Sequence, residues 1–131
     1  VSDLITPSIL DIKADIEYWW KQFTIKLEVP LSELFPEPEK GWVKHIWKHG
    51  SADLCVFHSN KLICIIEAHG HHHFSNKKQI MNDKRKAKLC QINNIGCLQV
   101  ANSVRDTIAR RKWRRLLGKY IWNDCVKCST V

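Results

Sequence analysis

Between Ser8 and Phe23 the apolar residues recur at three- and four-residue steps, as Ile9, Ile12, Ile16, Trp19, Trp20 and Phe23. That period puts them on one stripe of a helix, which packs by those residues. From Thr24 to Val29 the step changes to two and predicts a strand, and Pro30 to Phe35 adds a short helical turn. Pro36-Glu-Pro-Glu-Lys-Gly41 is a loop, because two prolines and a glycine punctuate it. Trp42 to Trp47 alternates again and is compatible with either strand or helix.

Ala52 to His58 and Lys61 to Ala68 are β-rich runs separated by Ser59-Asn60, the spacing of a tight hairpin. The second run is apolar on both faces through Leu62, Ile63, Cys64, Ile65 and Ile66, which marks a central strand covered from both sides. Ser75 is placed to cap a helix over about residues 76–94, with Gly96 as its C-cap. Residues 97–101 form a short strand, and Ser103-Val-Arg-Asp106 opens a last helix with a capping box. The predicted fold is α/β in the α+β sense, a central mixed sheet flanked by helices.

Composition narrows the picture. The chain has 131 residues, 44% of them hydrophobic, which suits one domain with a modest core over residues 1–122. No run approaches the roughly 18 apolar residues of a membrane span, and the amino end lacks a signal-peptide profile, so an intracellular protein is expected. The chain opens on Val1, and a piece of something longer is expected. Net charge is +8 with a pI near 9.3, concentrated in residues 77–88 and 105–119. Such basic tracts favour a polyanionic partner, nucleic acid first, over a merely solubilising surface. Six cysteines are present, and Cys55 and Cys64 fall in strand-like runs as small buried hydrophobes.

The chemistry gathers at the hairpin. With its turn at residues 59 and 60, antiparallel partners sum to about 119 to 120, which sets Asp53 beside positions 66 to 67. Asp53, Glu67 and the Ala68 carbonyl then form an oxygen pocket suited to Mg²⁺ or Mn²⁺. Such an ion acidifies a bound water and polarises a phosphate oxygen, as phosphodiester hydrolysis requires. The plain alternatives are a turn cap for Asp53 and a strand end for Glu67. Ile80, Asp83, Ala87 and Cys90 share one helix face, which points Asp83 at the same end of the sheet. A salt bridge is the alternative for Asp83.

Asp53, the hairpin and Glu67-Ala68-His69-Gly70-His71-His72-His73 resemble the PD-(D/E)XK nuclease superfamily, in the branch similar to very-short-patch-repair endonucleases and related bacterial nuclease domains. Asp83-Lys84-Arg85-Lys86 matches the branch's D-x-x-K or D-x-x-R helix, and Ile95-Gly96-Cys97-Leu98-Gln99-Val100 its following strand. The likeness spans about residues 5–101 and implies a restriction-endonuclease-like core, metal-dependent cleavage of nucleic acid (DNA before RNA), and a Mg²⁺ or Mn²⁺ cofactor. Glu17 stands where a first-helix glutamate often does. Ala52 replaces the signature proline, and His69 stands where the lysine is usual. The resemblance therefore leaves the water-positioning role to His69, His73 or a migrated lysine, Lys84 or Lys88.

Arg105, Arg110, Arg111, Arg114, Arg115 and Lys119 form a stripe on the last helix that suits a phosphate backbone, and Lys77 and Lys78 add to it. Trp19, Trp20, Trp42 and Trp47 are read as core or partner-contact residues before base-stacking platforms. Two rivals to a nuclease remain: a nuclease-fold module that only binds, and a zinc module built from the histidine run with Cys125 and Cys128. In the tail, residues 123–131, Cys125-Val-Lys-Cys128 has the spacing of half a zinc site, such as the start of a truncated zinc module.

Overall fold

A computed structural model describes residues 7–68, 77–100, 107–122 and 128–130. Helix α1 (Pro7–Trp19) leads into strand β1 (Phe23–Pro30), then helices α2 (Leu31–Leu34) and α3 (Gly41–His49). The hairpin β2 (Ser51–His58) and β3 (Lys61–Ala68) precedes α4 (Lys77–Ile92), β4 (Gly96–Val100), α5 (Thr107–Trp122) and the three-residue β5 (Cys128–Thr130). The strands lie in the order β1-β2-β3-β4-β5. Pairing is antiparallel from β1 to β3 and parallel from β3 to β5, so the sheet is mixed, as the patterning predicts.

Two layers of core cover the sheet. Ile9, Ile12 and Ile16 of α1 and Leu117 of α5 pack on Leu54, Val56, Cys64, Ile66 and Leu98. On the other face Leu31, Val43, Ile46, Leu89 and Cys90 pack on Cys55, Ile65 and Cys97. Residues 64–67 of β3 are buried on both faces, which explains its unbroken apolar run. Cys55, Cys64, Cys90 and Cys97 are all buried, and none of the four is in a disulfide. Burial pushes the Cys55 thiol up to about 12, with the Glu67 carboxylate adding to the shift, so it packs as a hydrophobe.

Several local expectations are corrected. The alternating run 42–47 belongs to helix α3, because Val43 and Ile46, three apart, are the buried pair, and Trp47 Nε1 donates to the Phe35 carbonyl at 2.8 Å. Gly50 closes that helix with its N–H on Ile46 O at 2.7 Å, and a Cβ there would stand 2.6 Å from the same oxygen. Gly96 is not the cap of α4 but the first residue of β4. Asn94 takes the left-handed conformation instead, at φ 58°, while Ile95 N–H reaches Cys90 O and Asn94 N–H reaches Gln91 O, a Schellman closure. Helix α1 stops at Trp19, leaving Phe23 to the core side of β1 and Trp19 54% exposed. The capping box at Ser103 to Asp106 and the helix start at Ser75 lie outside the described residues.

Candidate functional site

Register decides the site. Ser59 and Asn60 both have positive φ, the type I′ geometry of a two-residue hairpin, and begin the pairing as His58↔Lys61 and Phe57↔Leu62. Between Val56 and Phe57 the register shifts, with Ile63 as the extra residue, and Leu54 then faces Ile66. Carried on by one residue, that register sets Asp53 opposite Glu67, so both side chains share a face. Without the bulge Asp53 would oppose Ile66 and point away from Glu67. The bulge therefore assembles the acid pair.

Two hydrogen bonds fix the pair to the backbone. Asp53 N–H donates to Glu67 Oε2 at 3.1 Å, and Ala68 N–H donates to Asp53 Oδ2 at 3.2 Å. Each carboxylate is thus held by the other strand. Glu67 is only 2% exposed, and Lys86 Nζ from α4 stands 2.8 Å from its Oε1. The approach is ionic rather than directional, since Oε1 receives no aligned hydrogen bond from the described residues. Burial first, and the adjacent Asp53 charge, raise the Glu67 carboxyl well above the usual carboxylate range, although Lys86 pulls the other way. Burial likewise works against the Lys86 charge, but Glu67, Asp53 and Asp83 outweigh it and hold the ammonium above its ordinary range.

A third acid joins them from β1. Glu28 has φ 52° in mid-strand and interrupts the ladder between Leu27↔Leu54 and Val29↔Ala52, at the level of Asp53. A left-handed glutamate inside a strand is a strained conformation, of the kind that collects at functional sites. Partial burial raises its pKa, and the Asp53 charge raises it further, while Lys86 and a hydrogen bond from Ser51 lower it. The acid pair opens on a cavity of about 720 Å³ between the sheet end, α3 and α4. Asp83, Arg85 and Lys86 of α4 line one wall, His45 and His49 of α3 the other.

The predicted site residues separate accordingly. Asp53, Glu67, Ala68 and Asp83 all line the cavity, and Asp83 is 9% exposed with its carbonyl accepting from Gln99 Nε2 at 3.4 Å. Lys84 is exposed and absent from the cavity lining; Lys86, three residues beyond Asp83 and on the same side of α4, takes the place expected of Lys84. Glu17 is exposed, paired with Lys13 at 2.5 Å, and also absent from the lining. His69, His71, His72 and His73 lie outside the described residues, as do Arg105 and Cys125. Nothing in the sequence singles out Glu28, one of the polar positions of an alternating strand; only the β1–β2 register sets it against Asp53.

The basic stripe divides as well. Arg114 is not displayed to a ligand: Nε and Nη2 bind both oxygens of Asp15, at 3.1 and 2.5 Å, and the guanidinium lies 4.5 Å from the Trp19 ring centre. That clamp joins α5 to α1. Arg111, Arg115, Lys119, Lys77 and Lys78 are exposed, Arg110 partly so, and Lys78 lines the cavity. No described helix is long and apolar enough to cross a membrane.

Among the described residues no three His, Cys, Asp or Glu side chains already stand as a metal cage. The oxygen donors of Asp53, Glu67 and Ala68 do fit a small hard dication, because Glu67 Oε1 is buried, lacks an aligned donor among the described residues and already draws one positive charge to itself. Set against protein-family models, curated proteins and solved structures, the chain matches none of them.

Proposed function

We propose that the chain is a metal-dependent nuclease of the PD-(D/E)XK type, hydrolysing phosphodiester bonds in nucleic acid with DNA favoured. The observation that carries this reading is the pairing of Asp53 with a buried Glu67, which Lys86 contacts, in the lining of a cavity. Two acids held this close, one in a dry setting, destabilise the fold unless a cation uses them. Together with the Ala68 carbonyl they would hold Mg²⁺ or Mn²⁺, which supplies Lewis acidity and an acidified water. Lys86 lines the cavity with Asp83, and with the acids holding such an ion its ammonium would be placed to orient the nucleophile or neutralise a phosphoryl oxygen. Arg85 lines the cavity too, with a buried Nε that has no partner among the described residues. Exposed Arg111, Arg115 and Lys119 supply sequence-independent attraction for the backbone.

A second reading rests on the same pair. With His69 in the place of the usual lysine, a nuclease-fold module that binds nucleic acid without cutting it would keep the acids and the basic surface. Labelled single- and double-stranded DNA and RNA, incubated in Mg²⁺, Mn²⁺ or chelator, separates the two. Cleavage lost in chelator supports the nuclease; cation-independent binding without cleavage of any substrate supports the binding module.

A further inference from the structure

Across the cavity from the acid pair, α3 carries a second arrangement of ligand-grade side chains. His45 and His49 stand one turn apart on the exposed side of the helix, with ring centroids 4.7 Å apart and planes tilted by 50°. Both line the cavity, and neither imidazole makes a hydrogen bond or ion pair to a described residue. The helix beneath them is fixed: Val43 and Ile46 are buried, Trp47 is tied to the Phe35 carbonyl, and Gly50 closes the last turn. Two imidazoles on a rigid scaffold lose little freedom when they converge on one ion.

Their spacing is that of helical zinc ligands, in which histidines four apart face the same way. The segment His45-Ile46-Trp47-Lys48-His49 lacks the glutamate that follows the first histidine in hydrolytic zinc helices. Bonds of about 2.0–2.1 Å to each nitrogen ask for donor atoms about 3 Å apart, which ring rotation alone provides at this centroid distance. Imidazole prefers zinc, nickel and copper, whereas the carboxylates opposite prefer magnesium and manganese. Lys48, on the same helix, and Lys44, 3.6 Å from Glu37, add positive charge nearby and set an upper bound on affinity.

We infer that His45 and His49 form a two-imidazole site for a borderline transition dication, zinc before the others, at the mouth of the cavity. Water, or an anionic group brought into the cavity, completes the coordination. The site stands on the geometry of α3 and does not depend on the acid pair being catalytic.

The test is a Zn²⁺ titration of the whole chain, followed by the side-chain nitrogen resonances of its seven histidines. His45 and His49 are expected to shift first and together, in excess Mg²⁺ as well as without it. His45→Gln and His49→Gln, both at exposed positions, should each weaken that binding about tenfold or more. Shifts that begin instead at His58 or the 71–73 run, or an affinity unchanged in either variant, would overturn the site. Displacement of Zn²⁺ by Mg²⁺ would overturn it too, since it would indicate only diffuse electrostatic attraction.

Discussion

The two faces of the sheet use the same kind of charged pair to opposite effect. On the α1–α5 face Arg114 meets Asp15 through two hydrogen bonds and rests on Trp19, and each of the two charges has its counter-charge. On the α3–α4 face Lys86 must serve Glu67, with Asp53, Asp83 and Glu28 in the same field, and Glu67 Oε1 lacks an aligned donor among the described residues. The first arrangement is complete and joins two helices. The second carries more negative charge than its lysine neutralises in a buried place, and such an excess is what a cation site requires. Charge type alone does not distinguish structure from function; completeness of pairing does.

Replacing Lys86 gives the largest change short of removing the acids. Lys86→Met should lower single-turnover cleavage about 100-fold or more, because a proton-holding group leaves the reacting end of the cavity. Mn²⁺ should bind this variant at least as tightly as wild type, since the ammonium then no longer competes for Glu67 and only its proton does. Calorimetry showing weaker Mn²⁺ binding would mean that Lys86 braces the site instead of sharing it.

The opposite face should respond in stability alone. Arg114→Ala removes two charge-assisted hydrogen bonds at a part-buried pair and should cost about 2 kcal/mol in denaturant unfolding. Cleavage per folded molecule should stay at the wild-type rate. A loss of rate without a loss of stability would return Arg114 to the substrate-binding stripe.

The raised carboxyl of Glu67 has a definite sign. The folded, metal-free protein keeps a proton there at pH values where an unfolded glutamate has lost it, so Glu67 favours the fold at acid pH and costs stability as pH rises. A cation must displace that proton, and Mn²⁺ affinity should therefore climb as pH is raised beyond the ordinary carboxylate range, with proton uptake by buffer. Affinity that is flat across neutral pH would contradict the burial described for Glu67. The smallest expected effect belongs to the exposed arginines. Arg111→Ala with Arg115→Ala should weaken binding to unrelated DNA sequences by a similar factor and flatten the salt slope by up to about two units.

Much of this contrast is legible in the sequence, and the part that is not has physical causes. The hairpin shows because Ser59-Asn60 interrupts two β-rich runs, and the arithmetic of its turn brings Asp53 to within one residue of Glu67. That last residue decides which face Asp53 takes, and it is fixed by a bulge at Ile63 that no local propensity marks. Lys84 is suggested by its place next to Asp83, whereas helix geometry brings residues three apart to one side and favours Lys86. Glu28 becomes visible only when a third strand is paired. Arg114 looks like one of a row of cations until Asp15, 99 positions away in the chain, is seen to hold it.

If Asp53 and Glu67 act together as the metal ligands of a nuclease, cleavage needs both of them. Single-turnover cleavage of one labelled DNA duplex in Mg²⁺ should be compared for wild type, Asp53→Asn and Glu67→Gln, each checked as folded by circular dichroism. Wild type should cleave, and both variants should lose about 1,000-fold or more of that rate, because each removes a ligand charge while keeping the side chain's shape. A wild-type rate in either folded variant would contradict that joint role.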